Sequence, residues 1–260
     1  MKIGLVLSGG GARGVAHLGV IKALEELSIQ INIISGTSFG AVAGAFYADG
    51  YSPDDIFKLI VKTNLFKMVQ PAINWRGLLS IEKTELLFDQ YLTAKTFEEL
   101  KLPLTVVATN VKKGKSKFFY SGALVKPILA SACLPVIFKP VEIGNKLYID
   151  GGILNNLPVE PLIGHCDRII GVHTNPLDAK SKPANMKAVF ERTMMMTINY
   201  NVYARKNKCD IFLEPKALRG YNVFDFKKAP EIFEIGYEHT IKYFSKKSKL
   251  RKEFQLEKHD

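Results

Sequence analysis

Three cysteines in 260 residues, Cys133, Cys166 and Cys209, are too few and too scattered for a disulfide framework. None forms a Cys-x-x-Cys pair, so a zinc ribbon is excluded, and reduced thiols in a cytoplasmic setting are expected. No His, Cys, Asp or Glu cluster has metal-ligand spacing, and neither a metal nor another cofactor is expected. Internal repeats, low-complexity linkers and Pro/Ser-rich boundaries are also missing. One domain over residues 1–245 is therefore expected, followed by a basic tail, 246–260. Acidic residues are in deficit: 25 Asp+Glu against 36 Lys+Arg give a net charge of +11, which suggests an anionic partner. No RRM, KH, zinc-finger or helix-turn-helix signature accompanies that charge, so nucleic acid is not the expected partner. Long apolar runs are scarce. The opening run, Ile3 to Leu7, meets a polar glycine stretch too early for a signal peptide. Leu27 to Ala48 carries no charge, yet Gln30, Asn32, Ser35, Thr37 and Ser38 would be unsatisfied in lipid, so it reads as strand, turn and helix in a soluble core.

What is present alternates between strand and helix patterns. Ile3–Leu7, Ile31–Ile34, Arg168–His173 and Ile211–Leu213 read as buried strands, and 104–109 with 117–120 as a hairpin-type pair. Val15–Leu27, Phe39–Ala48, Leu124–Ala132, Met186–Lys206 and Glu231–Phe244 read as helices. This alternation predicts a layered α/β fold on a mostly parallel sheet. The lysine-rich end from Ser245 reads as a solvated helix face or a frayed terminus, with attraction to phosphate headgroups as the functional alternative.

Two glycine motifs carry chemistry. Gly9-Gly10-Gly11-Ala12-Arg13-Gly14 follows the first strand and satisfies the G-x-G-x-x-G dinucleotide pattern. The second strand, however, ends Ile33-Ile34-Ser35-Gly36 without the carboxylate that would hold a ribose. The loop still offers unhindered N–H groups at a helix start, suited to a phosphate or an oxyanion, with Arg13 beside them. Gly36-Thr37-Ser38-Phe39-Gly40 is G-x-S-x-G between an apolar strand and an Ala/Gly-rich helix, the setting of a nucleophile elbow. A Cβ at either flanking glycine would clash in so tight a turn. In a parallel sheet consecutive strand ends share one edge, so the glycine loop and Ser38 should lie side by side.

A serine needs a base. His173, then His165, are the candidates for a triad, while His17 reads as a packing or capping residue. Asp150, in Asp150-Gly151-Gly152, is the competing candidate, although Asp-Gly alone reads as a turn. The four blocks Gly9–Gly14, Gly36–Gly40, Ala130-Ser131-Ala132-Cys133-Leu134-Pro135 and Asp150–Gly152 resemble, in order and spacing, those of the patatin-like phospholipases. The resemblance covers about residues 2–173 and is closest to the short bacterial members. It implies a three-layer α/β/α patatin fold and a Ser38–Asp150 dyad without histidine. It further implies an oxyanion hole drawn from Gly9, Gly10, Gly11 and Phe39 with Arg13 nearby. Ser131 and Pro135 would shape the site, and Gly14, Gly36, Gly40, Gly151 and Gly152 would support it. The expected substrate is a phospholipid or other hydrophobic acyl ester, met through peripheral contact with an anionic membrane surface. The alternatives are a thioesterase or acyltransferase with the same dyad, and a nucleotide-binding module using the glycine loop. A carboxylate is a weak base for serine, so its pocket should be partly dry. Residues 65–75 read as a loop pinned to the core, with a flap over the site as the alternative. Met194–Met196 read as core filler or an acyl-pocket lining.

Overall fold

A computed structural model describes residues 1–62, 82–135, 138–178 and 184–255. Its strands and helices, in chain order, are β1 (Ile3–Leu7), α1 (Ala16–Glu26), β2 (Ile33–Thr37), α2 (Phe39–Asp49), α3 (Pro53–Lys62) and α4 (Glu82–Tyr91). There follow β3 (Leu104–Asn110), β4 (Lys115–Phe119), α5 (Val125–Ser131), β5 (Val141–Ile143), β6 (Lys146–Asp150) and β7 (Arg168–Val172). The chain closes with α6 (Met186–Tyr203), β8 (Ile211–Leu213), α7 (Ala229–Ser245) and α8 (Ser248–Phe254).

The strands form one sheet in the order β5-β6-β3-β2-β1-β7-β8, with β4 also on β3. Strands β3, β2, β1, β7 and β8 run parallel, whereas β4 and β6 pair antiparallel with β3. Both faces are covered, as the unbroken apolar runs required. Leu5 and Leu7 of β1 join one cluster with Leu18, Ile21 and Phe46, on the side of α1 and α2. Between them Val6 points the other way, to Leu157, Leu162 and Val202 of α6. The result is the expected three-layer α/β/α arrangement, a mostly parallel sheet between helical layers. Helices α1 and α7 cross closely because Gly19 and Gly236 bring bare backbone together: a Cβ at Gly19 would strike Phe233 O, and one at Gly236 would strike Ala16 O.

Several boundaries differ from the sequence reading. β2 starts at Ile33 and runs on to Thr37, because its Ser35, Gly36 and Thr37 find ladder partners in β1 and β3. α6 ends at Tyr203, three residues short of the expected Lys206. Helices α3 and α4 were not anticipated, and α8 lies in the basic tail that read as a solvated helix face or a frayed terminus. The tail up to residue 255 is neither frayed nor fully solvated. Phe254 is buried against Phe244, with ring centroids 6.5 Å apart, and Gln255 Nε2 donates to Leu27 O at 2.9 Å. The expectation for residues 65–75 lies outside the described residues. Met194 and Met195 are half-buried, while Met196 faces outward at 53% exposure. Among the described residues no helix is long and apolar enough to cross a membrane.

Candidate active site

The site is made where two strands meet end to end. One edge of β3 pairs with β4 from Val106 to Asn110. The opposite edge is therefore shared by β2 and β6. β2 runs along it in parallel until Thr37 stands opposite Val107. β6 approaches from the other direction until Asp150 stands opposite Ala108. Two C-terminal ends thus converge on adjacent β3 residues, which sets the Ser38 side chain beside the Asp150 carboxylate, where it acts to lower the carboxyl pKa.

Ser38 occupies a sharp turn at φ 54° and ψ −126°, in the region that a side chain rarely adopts. Such a conformation costs about 1–3 kcal/mol and persists only when the surroundings enforce it. The flanking glycines make it possible. A Cβ on Gly36 would lie 2.5 Å from Gly40 O, and one on Gly40 would lie 2.5 Å from Ser8 O and closer still to Leu7 O. Ser131, at the end of α5, braces the turn: its Oγ accepts from Ser38 N at 2.8 Å and donates to Val107 O at 2.6 Å. Between Ile34 and Phe46 every residue except the half-buried Ser38 is buried, so the turn presents one side chain to the outside. Ser131→Ala strands the Ser38 amide. We expect it to lower unfolding free energy by about 1–3 kcal/mol in a denaturant titration, with a fall in kcat as the turn relaxes.

Asp150 is 5% exposed. Burial raises its pKa to about 6, against the lowering effect of the Ser38 hydroxyl and of the Gly152 amide, which donates to Oδ1 at 2.7 Å. The Asp150 amide donates to Cys133 O at 2.9 Å. The Ser131–Pro135 block therefore touches both halves of the pair, Ser131 at the turn and Cys133 at the Asp150 main chain, with half-buried Pro135 just beyond. A Cβ on Gly151 would strike Val107 O, and one on Gly152 would come 2.7 Å from Asn156 Oδ1, so neither position has room for a side chain.

The glycine loop lies against the turn, as expected from the parallel sheet. A Cβ on Gly9 would come 2.9 Å from Ser38 Cβ, and one on Gly14 would meet the Phe39 ring at 2.5 Å. Two expectations for the loop need correction. The Gly9 amide is engaged by Asn156 Oδ1 at 3.0 Å, and the Ala12 amide by Val223 O at 2.8 Å, so of the expected loop donors Gly9 is already taken and Gly10 and Gly11 lie between the two engaged amides. Arg13 serves as a fastener: its Nε donates to Tyr221 O at 2.7 Å and its Nη2 to the same oxygen, tying the loop to residues 221–223.

Among the described residues no histidine forms a triad with Ser38. His173 is buried, with Nε2 on Asn199 Oδ1 at 3.1 Å and its ring stacked on Phe212. His165 is exposed in the turn before β7. His17 lies under the glycine loop with Nε2 on Ser8 O at 2.7 Å, and burial lowers its pKa to about 4, so it stays neutral. Sequence reading missed the asparagines. Asn155 O accepts from Thr37 Oγ1 at 2.9 Å, and the Asn156 amide donates to Asn201 Oδ1 at 2.8 Å. The available signal was Asn155-Asn156 closely following Asp150 and preceding an apolar stretch, where a buried amide must find partners.

Comparison with known proteins follows the same lines. Residues 5–163 match the family described as Patatin-like phospholipase. An uncharacterized NTE family protein of Mycobacterium tuberculosis is 36% identical over 181 residues, 68% of this chain and 50% of that protein. A protein named lysophospholipase nte1 in Aspergillus oryzae is 29% identical over 98% of this chain and 18% of its own length. The chain thus spans about half the length of the mycobacterial relatives and a smaller share of the fungal ones. Among solved structures, VipD from Legionella pneumophila superposes with a TM-score of 0.57 at 18% identity, covering 94% of this chain and 67% of that one.

Proposed function

Since the chain belongs to the patatin-like phospholipase family, we propose that it is a serine hydrolase of lipid acyl esters in which Ser38 is the nucleophile and Asp150 its general base. The supporting observation is the placing of a strained, outward-facing serine beside a buried carboxylate whose pKa is raised to about 6. That value strengthens the carboxylate as a base yet leaves it ionised near neutral pH. Ser38 Oγ attacks the ester carbonyl while its proton passes to Asp150. The carbonyl oxygen becomes an oxyanion facing the N–H groups of Gly10 and Gly11, with the Phe39 amide at the start of α2 beside them. Collapse breaks the bond to the alcohol, which leaves with the proton from Asp150. Water then attacks the acyl-serine, again giving its proton to Asp150, and the fatty acid departs as Ser38 recovers its own. The fungal relative's name, a lysophospholipase, fits a substrate with one acyl chain and a phosphate headgroup. The net charge of +11 would draw the enzyme to anionic lipid surfaces.

A fluorophosphonate probe is expected to label Ser38 in the wild-type protein and nothing in Ser38→Ala. Only the labelled protein should release fatty acid from a panel of phospholipids and lysophospholipids. Labelling elsewhere, or equal turnover by Ser38→Ala, would overturn the proposal.

A further inference from the structure

We infer that Asn175 is a positioning residue of the oxyanion hole, turning the Gly9–Gly10 peptide so that the Gly10 N–H faces the reacting ester; the inference rests on the hydrolase reading above. The Gly9 carbonyl collects three buried donors from its surroundings. Asn175 Nδ2 lies at 2.7 Å, Ser8 Oγ at 3.1 Å and Thr174 Oγ1 at 3.3 Å. The protein has no cis peptide among its described residues. In a trans peptide the C=O and the following N–H point in opposite directions, so gathering donors on one side turns the Gly10 N–H to the other. Donation to the carbonyl also polarises the peptide and makes that N–H a stronger donor. The other end of Gly9 is held as firmly, by Asn156 on its amide, and its α-carbon abuts Ser38.

Asn175 is itself held in place. Its carbonyl accepts from Asn199 Nδ2 at 3.0 Å, and the same nitrogen donates to Met195 O at 2.8 Å. That fixes Asn199 Oδ1 as an acceptor, so neutral His173 donates to it through Nε2. Burial lowers the His173 pKa, in keeping with the neutral ring. The relay runs from the end of β7, through α6, to the glycine loop. Among the described residues the buried Asn175 Oδ1 has no partner. The side chain therefore presents Nδ2 to Gly9 O while leaving its own acceptor unpaired. A group serving stability alone has no need of that orientation, whereas a group aiming a peptide does.

The test measures kcat and KM on p-nitrophenyl butyrate, with active sites counted by fluorophosphonate titration carried to its end point. Counting sites removes any loss caused by misfolded protein. Asn175→Ala is expected to lower kcat per titrated site by at least about tenfold, with KM within about twofold of wild type. Asn175→Asp keeps the shape but sets an acceptor against the Gly9 carbonyl, and should fall further. If Asn175 only fills space, that order reverses and kcat per titrated site stays within about twofold of wild type in both, which overturns the inference. Asn199→Leu should show a smaller fall of the same kind. It decides the matter if the Asn175 variants do not fold, because an unchanged kcat per site there overturns the inference too. Ser38→Ala separates the two proposals. If it retains turnover, the hydrolase reading fails and this one with it; if it is inactive while the Asn175 variants are fully active, this one fails alone.

Discussion

Asp150→Asn is expected to lose about 10⁴-fold or more in kcat and, at the same time, to gain stability above pH 6. The loss follows because an amide cannot accept the Ser38 proton. The gain follows from linkage. The carboxyl has a pKa of about 6 in the fold and an ordinary value of 3.8. Between those values the unfolded chain has released a proton that the native state still holds, so native stability falls as pH rises through that window. Above it, holding the buried charge costs on the order of 3 kcal/mol, and the neutral asparagine escapes this cost. Its oxygen can still accept from Gly152. Thermal unfolding at pH 8 should show a higher Tm for Asp150→Asn, and the two proteins should converge below about pH 4. In the wild type, kcat/KM should fall on the acid side with an apparent pKa near 6, because the protonated carboxyl is no base. An unchanged kcat, or a Tm lowered at pH 8, would count against the burial of a catalytic charge here.

The second large effect is on folding. Gly40→Ala should cost about 3 kcal/mol or more, read as a shift in the denaturant midpoint at unchanged slope. The added methyl would meet Ser8 O at 2.5 Å and Leu7 O closer still. Those are main-chain atoms at the end of β1, between β2 and β7, so they cannot step aside as a flexible side chain would. Retreat of α2 would pull Ser38 from Asp150, so any folded remainder should also be slow. Gly114→Ala serves as the comparison: its φ is +57°, but nothing lies within 4 Å, so only the backbone preference is lost.

Both predictions rest on residues that stood out in the chain. Gly36, Ser38 and Gly40 were legible because a strand-to-helix turn with no room for side chains restricts composition so strongly, whereas Asp150 alone read as a turn and was singled out only by the family resemblance of its block. β1 and the alternation of strand and helix were legible for a similar reason, since a doubly covered strand must be apolar throughout. The antiparallel approach of β6 was not, and it is what brings Asp150 to Ser38. A five-residue strand of mixed burial carries no mark of its partner's direction. The asparagine brackets around Gly9 were equally hidden. Asn156 and Asn175 meet Gly9 across 147 and 166 residues of chain. In a lone sequence an asparagine looks like a turn or a surface residue. His173 shows the opposite error. A histidine ending an apolar strand suggested a catalytic base, but the ring is buried on Asn199 and Phe212. In the tail, basic residues concealed Phe254, which pins α8 to the core.

The most direct test is to trap the intermediate. Wild-type enzyme mixed with a lysophospholipid, quenched in acid before turnover is complete and digested, should yield one peptide heavier by the fatty acyl group, with the added mass on Ser38. Asp150→Asn treated identically should carry far less of it. Release of fatty acid without any acyl adduct on Ser38, or with the adduct on another residue, would contradict the account.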